Sequence, residues 1–180
     1  MEFAKSGILG AWVIDPVCHE DNRGRFFRAW CSNEFREHGI EFVPVQANMG
    51  FSLRKGTVRG MHFQEAPALE AKLVRCTSGS IFDVVLDLRL LSPSYGKWYG
   101  IELSAKNGRM LYLPEGCAHG YQTLEDSTEM YYMASEFYTP GSACGVRFDD
   151  PAFAIQWPLD PTEMSIQDRN WPLFKHYSGG

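Results

Sequence analysis

An all-β sandwich or barrel with a few short helices is the fold class that three features of this 180-residue chain predict. Short runs rich in β-branched and aromatic residues recur along it, and turn residues separate them at nearly regular spacing. Only one stretch carries both a start and a stop signal for a helix. The length fits one domain spanning residues 1–180. At 44% hydrophobic and 14% aromatic residues, the chain can build a substantial core.

Taken in order, the β-like runs are 8–14, 26–31, 57–63, 72–76, 80–88, 98–103, 110–113, 121–124 and 129–135. Turn signals punctuate them at Asp21-Asn22-Arg23-Gly24, Ser92-Pro93-Ser94-Tyr95-Gly96, Asn107-Gly108, Pro114-Glu115-Gly116 and Thr139-Pro140-Gly141. The helix is expected over 32–38, with Ser32 as N-cap and Gly39 as the stop. Beyond Asp149 the proline- and tryptophan-rich tail is expected to pack as short helical turns.

Composition also excludes classes of function. A formal charge of −5 argues against a general nucleic-acid binder, while leaving room for a local basic pocket that takes phosphate. No apolar run approaches membrane-spanning length and the N-terminus lacks a basic-then-apolar leader, so a soluble, cytoplasmic protein without membrane partners is expected. Cys18, Cys31, Cys76, Cys117 and Cys144 are scattered and form no CxxC pair. They read as reduced packing residues and not as a disulfide frame or a zinc site.

The densest chemistry lies in Arg59-Gly60-Met61-His62-Phe63-Gln64. Strict alternation along a strand puts Arg59 and His62 on opposite faces. A bulge at Gly60 would turn both into one cavity. His62 is the first candidate for a general base, because imidazole as a side-chain type exchanges protons near physiological pH, against the equal alternative of a satisfied structural histidine. His119, in Pro114-Glu115-Gly116-Cys117-Ala118-His119-Gly120, reads as a turn entering a strand, with a hydrogen-bonded turn residue as the plain alternative. His19 and His38 read as exposed loop or helix-end residues, and His176 falls in the tail. Lys72 opens a strand. Asp83 and Asp87 share a face of the next, where Asp87 and Arg89 suit a structural ion pair. Tyr131, Tyr132 and Tyr138 form an aromatic group whose default role is packing, and Asp168 in Ser165-Ile166-Gln167-Asp168 has a cap or turn as its default.

The segment from Gly108 to His119 resembles the second motif of the cupins, which are jelly-roll barrels. Metal-binding cupins pair it with a His-x-His and a glutamate. Here the corresponding stretch is His62-Phe63-Gln64, and two histidines without a third good ligand suit a first-row transition metal poorly. A barrel without metal is the expectation.

In order along the chain, Asp21-Asn22-Arg23-Gly24, Val45-Gln46-Ala47-Asn48, Arg59-Gly60-Met61-His62-Phe63-Gln64, Lys72-Leu73-Val74 and Asp87-Leu88-Arg89 precede four later pieces. These are Leu113-Pro114-Glu115-Gly116 with Ala118-His119-Gly120, Tyr132 with Tyr138-Thr139-Pro140, Ile155-Gln156-Trp157-Pro158, and Ser165-Ile166-Gln167-Asp168. Together they resemble the dTDP-4-dehydrorhamnose 3,5-epimerase family, nucleotide-sugar epimerases with an RmlC-like jelly roll. The resemblance covers nearly the whole chain.

What it implies is proton chemistry without metal or cofactor on a 4-keto-hexose carried by a nucleoside diphosphate. His62 matches the family's base, Asp168 its carboxylate partner, Lys72 the cation near the enolate oxygen, and Tyr132 the acid on the opposite side of the sugar. Arg59 and Arg23 match diphosphate-binding residues. Gln46, Asn48 and His119 match polar positions near sugar or phosphate, and Phe26 and Tyr138 match the nucleoside region. The resemblance also implies a homodimer whose N-terminal segment crosses to the partner, so that Arg23 and Phe26 complete the neighbour's pocket. Arg28 stands where many members carry glutamate, exchanging an acceptor for a donor and opening the identity of the base. Phe137 replaces a common tyrosine. Three alternatives stay open: a single-centre epimerase, a metal-dependent cupin enzyme, and a non-catalytic sugar-binding jelly roll.

Overall fold

In the computed structural model, which describes residues 1–174, the chain begins with β1 (Glu2–Lys5), β2 (Trp12–Asp15) and the hairpin of β3 (Cys18–Asp21) and β4 (Gly24–Phe27). Helix α1 (Ser32–Glu37) follows, then β5 (Gln46–Ser52), β6 (Val58–Gln64), β7 (Lys72–Ser78) and β8 (Ser80–Asp87). The remainder comprises β9 (Trp98–Ser104), β10 (Met110–Leu113), β11 (Cys117–Thr123), β12 (Thr128–Ala134), β13 (Ala143–Gly145) and one short helix, α2 (Ile166–Arg169). Two sheets face one another, ordered β1-β2-β10-β7-β12-β5 and β13-β6-β11-β8-β9, with β3-β4 apart. Named strands pair antiparallel throughout, giving the expected jelly roll.

Adjacent residues on one strand serve different layers. Val74, Val85 and Leu111 fill the space between the sheets. Their neighbours Leu73 and Met110 pack outward beneath Phe35, Ile40 and Phe42. Val84 and Leu86 pack outward beneath Val146, Phe153 and Ile155. A strand covered on both faces loses its polar alternation. That is why Met110-Leu111-Tyr112-Leu113 reads as a continuous apolar run.

Several expectations are corrected. The run 26–31 is not a strand: β4 ends at Phe27, and the chain turns into α1. Cys31, not Ser32, occupies the N-cap position, and no side chain caps that end. Gly39 follows the helix with φ +74°, which suits glycine as the stop. The strand expected over 121–124 begins already at Cys117, so His119 is a strand residue and not a turn residue. Among the described residues of the tail only α2 is helical. His176 lies outside the described residues.

The bulge at Gly60 is present. His62 pairs with His119 and Arg59 with Tyr121, so Gly60 and Met61 on β6 together oppose Gly120 on β11. The additional residue restores Arg59 and His62 to one face. Neither glycine there can be replaced easily. A Cβ on Gly60, at φ +136°, would lie 2.5 Å from the Gly120 Cα, and one on Gly120 would lie 3.0 Å from the Arg59 carbonyl oxygen.

Candidate active site

A cavity of about 680 Å³ opens between the sheets, lined by Asn48, Arg59, His62, Lys72, His119, Tyr132 and Asp168 among others. His62 and His119 come from the β6–β11 wall, whereas Asn48, Lys72 and Tyr132 come from the facing β5–β7–β12 wall. A smaller chamber of about 190 Å³ shares His62, Lys72 and Tyr132 with it, and adds Gln46, Tyr138 and Trp171.

Asp168 reaches His62 from the far end of the sequence. Ser165 caps α2, accepting a 3.0 Å hydrogen bond from the Asp168 N–H. In a capping box the acid at this position turns back to the cap. Here the carboxylate is directed elsewhere: Oδ1 lies 2.6 Å from His62 Nε2, and Oδ2 accepts the Gly60 N–H at 3.3 Å. Thus the bulge both turns His62 inward and helps hold its partner. The Asp168 side chain is 5% exposed, and that of His62 43%. Burial works to raise the Asp168 pKa, but the hydrogen bonds and charge of His62, with Gly60 and Trp171 assisting, outweigh it and leave the pKa lowered. A carboxylate so held orients the ring and directs Nε2–H toward itself. The other ring nitrogen, Nδ1, is then left with a lone pair that can accept a proton.

On the opposite wall, Lys72 Nζ sits 5.9 Å from the Tyr132 ring centroid and 2.7 Å from Glu70 Oε1. Burial, then the charge of Glu70, raises the Tyr132 pKa, which keeps the phenol protonated at neutral pH. Sequence reasoning missed Glu70; its position two residues before Lys72 was the only available signal. It also missed Trp171.

His119 belongs to a second pair, its Nε2 2.8 Å from Asp83 Oδ1. Burial raises the pKa of Asp83, partly countered by His119 and Lys72. Arg59 spans the cavity mouth, donating to Ser52 Oγ at 3.3 Å and to the Phe51 carbonyl at 3.0 Å. Gln46 accepts the Tyr138 N–H at 3.3 Å and reaches Asn48 at 3.4 Å. Gln64, at the cupin ligand position, is committed to backbone: it donates to Ala68 and Phe137 carbonyls and accepts the Thr139 N–H. Among the described residues no group of three or more His, Cys, Asp or Glu is arranged to hold a metal ion.

Arg23, Phe26 and Arg28 do not join this cavity. Arg23 sits at the β3–β4 turn, its side chain 84% exposed and paired with Asp21. Phe26 is 75% exposed. Phe27 of the same hairpin packs under Arg75, 4.9 Å from the ring centroid, and against Gly108. Arg75 lies one residue beyond the inward Val74, so the hairpin rests on the outer face of its sheet, behind its own cavity. Arg28 is paired at 2.7 Å with Glu34, which also holds the Met1 amine at 2.6 Å. The expected Asp87–Arg89 pair is present and bidentate, at 2.8 Å through both Nε and Nη2.

Comparison with known proteins shows the family. The family model described as dTDP-4-dehydrorhamnose 3,5-epimerase matches residues 5–176. The enzyme of that name from Methanothermobacter thermautotrophicus is 42% identical over 173 residues, covering 94% of this chain and 92% of the relative. A dTDP-4-dehydrorhamnose 3-epimerase from Streptomyces niveus is 39% identical over 171 residues, covering 94% and 82%. The crystal structure of the Bacillus anthracis 3,5-epimerase with TDP and PPi bound superposes with a TM-score of 0.93 at 35% identity, covering 96% of this chain and 99% of that one. The chain belongs to the dTDP-4-dehydrorhamnose 3,5-epimerase family.

Proposed function

We propose that this protein is an isomerase that inverts C3 and C5 of dTDP-4-dehydro-6-deoxy-D-glucose, giving dTDP-4-dehydro-L-rhamnose. The observation that carries the reading is the placement of a carboxylate-braced imidazole and a half-buried phenol on opposite walls of one cavity. His62 removes the proton next to the ketone, and Tyr132 returns one to the other face of the ring. Positioned acid–base catalysis of this kind is typically worth about 10²–10⁴-fold. Lys72 meets the negative charge that develops on the C4 oxygen, and a preorganised donor there contributes about 3–4 kcal/mol. Arg59, Asn48 and His119 hold the diphosphate and neighbouring groups, Gln46 and Tyr138 the far side of the sugar chamber. The residues themselves carry the proton steps, without a metal or cofactor.

The protein works as a homodimer. The hairpin with Arg23 and Phe26 lies behind its own sheet, so these residues serve a nucleotide bound to the partner subunit, with Arg28 beside them. Support for a second copy comes from β5 and its flanks, where Met49 and Phe51 on the strand and Val45 and Leu53 on either side of it are exposed and apolar. We place the protein in the cytoplasm, consistent with five cysteines of which none is paired.

The similarity to the Streptomyces niveus 3-epimerase supports a second reading, inversion of a single centre. One experiment tests both. The protein is incubated with the dTDP-4-keto sugar in deuterium oxide, and the label is located by NMR. Label and inversion at C3 and C5 are expected. Label at one centre alone selects the second reading, and no label at either refutes both.

A further inference from the structure

The cross-strand slot beside His62 is filled by a residue from the tail. Gly145 on β13 pairs directly with His62 on β6. Directly opposed residues of an antiparallel pair project to the same side of the sheet. Gly145 has no side chain, and Trp171 takes the space: a Cβ on Gly145 would lie 2.1 Å from Cε2 and 2.3 Å from Nε1 of the indole. Trp171 stands three residues after Asp168, just past the end of α2, and lines the smaller chamber with His62, Lys72 and Tyr132. Its Nε1 is shut off from solvent without a hydrogen bond of ordinary geometry.

We propose that Trp171, seated on Gly145, is a positioning residue that sets the strength of the His62–Asp168 pair for proton abstraction. The inference rests on the epimerase reading, and it assigns Trp171 no contact with substrate. Trp171 is among the groups that hold Asp168 as an anion, acting more weakly than His62. A polar N–H near a carboxylate disperses part of its charge even without a formed hydrogen bond. Without it, the carboxylate would attract the imidazolium form of His62 more strongly, and a larger share of the base would be protonated at a given pH.

Trp171→Phe keeps an aromatic ring on Gly145 and removes the N–H. Its acid limb for deuterium wash-in is expected to move to higher pH by about 0.3–1 unit, the shift that a modest hydrogen bond is worth. The position of that limb, and not KM, is the deciding readout, because Trp171 lines the chamber that also holds Gln46 and Tyr138. Gly145→Ala leaves the indole intact but pushes it off its seat, and should shift the limb in the same direction. NMR titration of the His62 ring in both variants reads the same quantity without substrate. That arm remains decisive if the parent protein shows no wash-in, an outcome that would sink the epimerase reading alone. Unmoved profiles and His62 titrations, with only the melting temperature lowered, would overturn the proposal and leave Trp171 a packing residue. Should both variants fail to fold, Asp168→Asn supplies the test, since the indole N–H resonance of the intact Trp171 must then move. A resonance that stays in place refutes the coupling.

Discussion

Asp168→Asn isolates the carboxylate's part in the base. The change keeps the shape of the side chain and removes its charge, 2.6 Å from His62 Nε2 in a setting where Asp168 is 5% exposed. A full unit-charge attraction at about 4 Å and an effective dielectric of 20 amounts to roughly 4 kcal/mol. His62 is 43% exposed, so solvent screens part of this. About 1.5–3 kcal/mol, the usual range for a hydrogen bond to a charged group, is the expected loss. At about 1.36 kcal/mol per decade, wash-in of deuterium should slow roughly 10- to 150-fold. Calorimetric titration with dTDP should give affinity within about threefold of the parent, because the cavity's cations Arg59 and Lys72 are untouched. Wash-in within threefold of the parent would refute the view that Asp168 braces the base. Loss of dTDP binding together with wash-in would show instead that the substitution disrupts the cavity.

Tyr132→Phe should suppress inversion by at least tenfold while wash-in at the base persists, read as label accumulating in substrate rather than product. Gly60→Ala should cost about 3 kcal/mol or more in urea unfolding, since φ is +136° and the added methyl meets the Gly120 backbone at 2.5 Å. Asp87 gives a pH signature of stability. Burial opposes its ionisation, but Arg89, Ser92 and Ser94 prevail and bring its pKa to about 2. A folded-state pKa below the unfolded value stabilises the fold above about pH 4, and the gain is lost as pH falls toward 2. It amounts to roughly 2 kcal/mol at neutral pH. Asp87→Asn should therefore lower stability at pH 7 and narrow the gap to the parent near pH 2, as measured by denaturant titration at each pH.

The sequence carried the strand content well because apolar runs covered on both faces are conspicuous, as at 110–113. It also carried the reason why Arg59 and His62 share a cavity, since a glycine between them signalled the bulge. It marked the turn between β3 and β4 and the end of β4, but it could not reveal β3 or β5. Cys18–Asp21 is fully exposed, and Gln46–Ser52 alternates polar residues toward the cavity with apolar residues on its outer face, so neither offers a buried run. Asp168 read as a cap, and its backbone does begin a capped turn; only tertiary placement sends the carboxylate to His62. Trp171 was illegible for a related reason. Its role depends on an absent side chain at Gly145, and a vacancy on one strand says nothing about which distant residue occupies it.

The base and its brace stand 106 positions apart. If α2 docks only after the sheets have paired, recovery of wash-in will trail recovery of the circular dichroism signal. Until α2 docks, half-finished molecules would be inert toward a sugar whose enolate, released in open solvent, would pick up protons on either face. Stereochemical control would thus be withheld until the last join in the chain has closed.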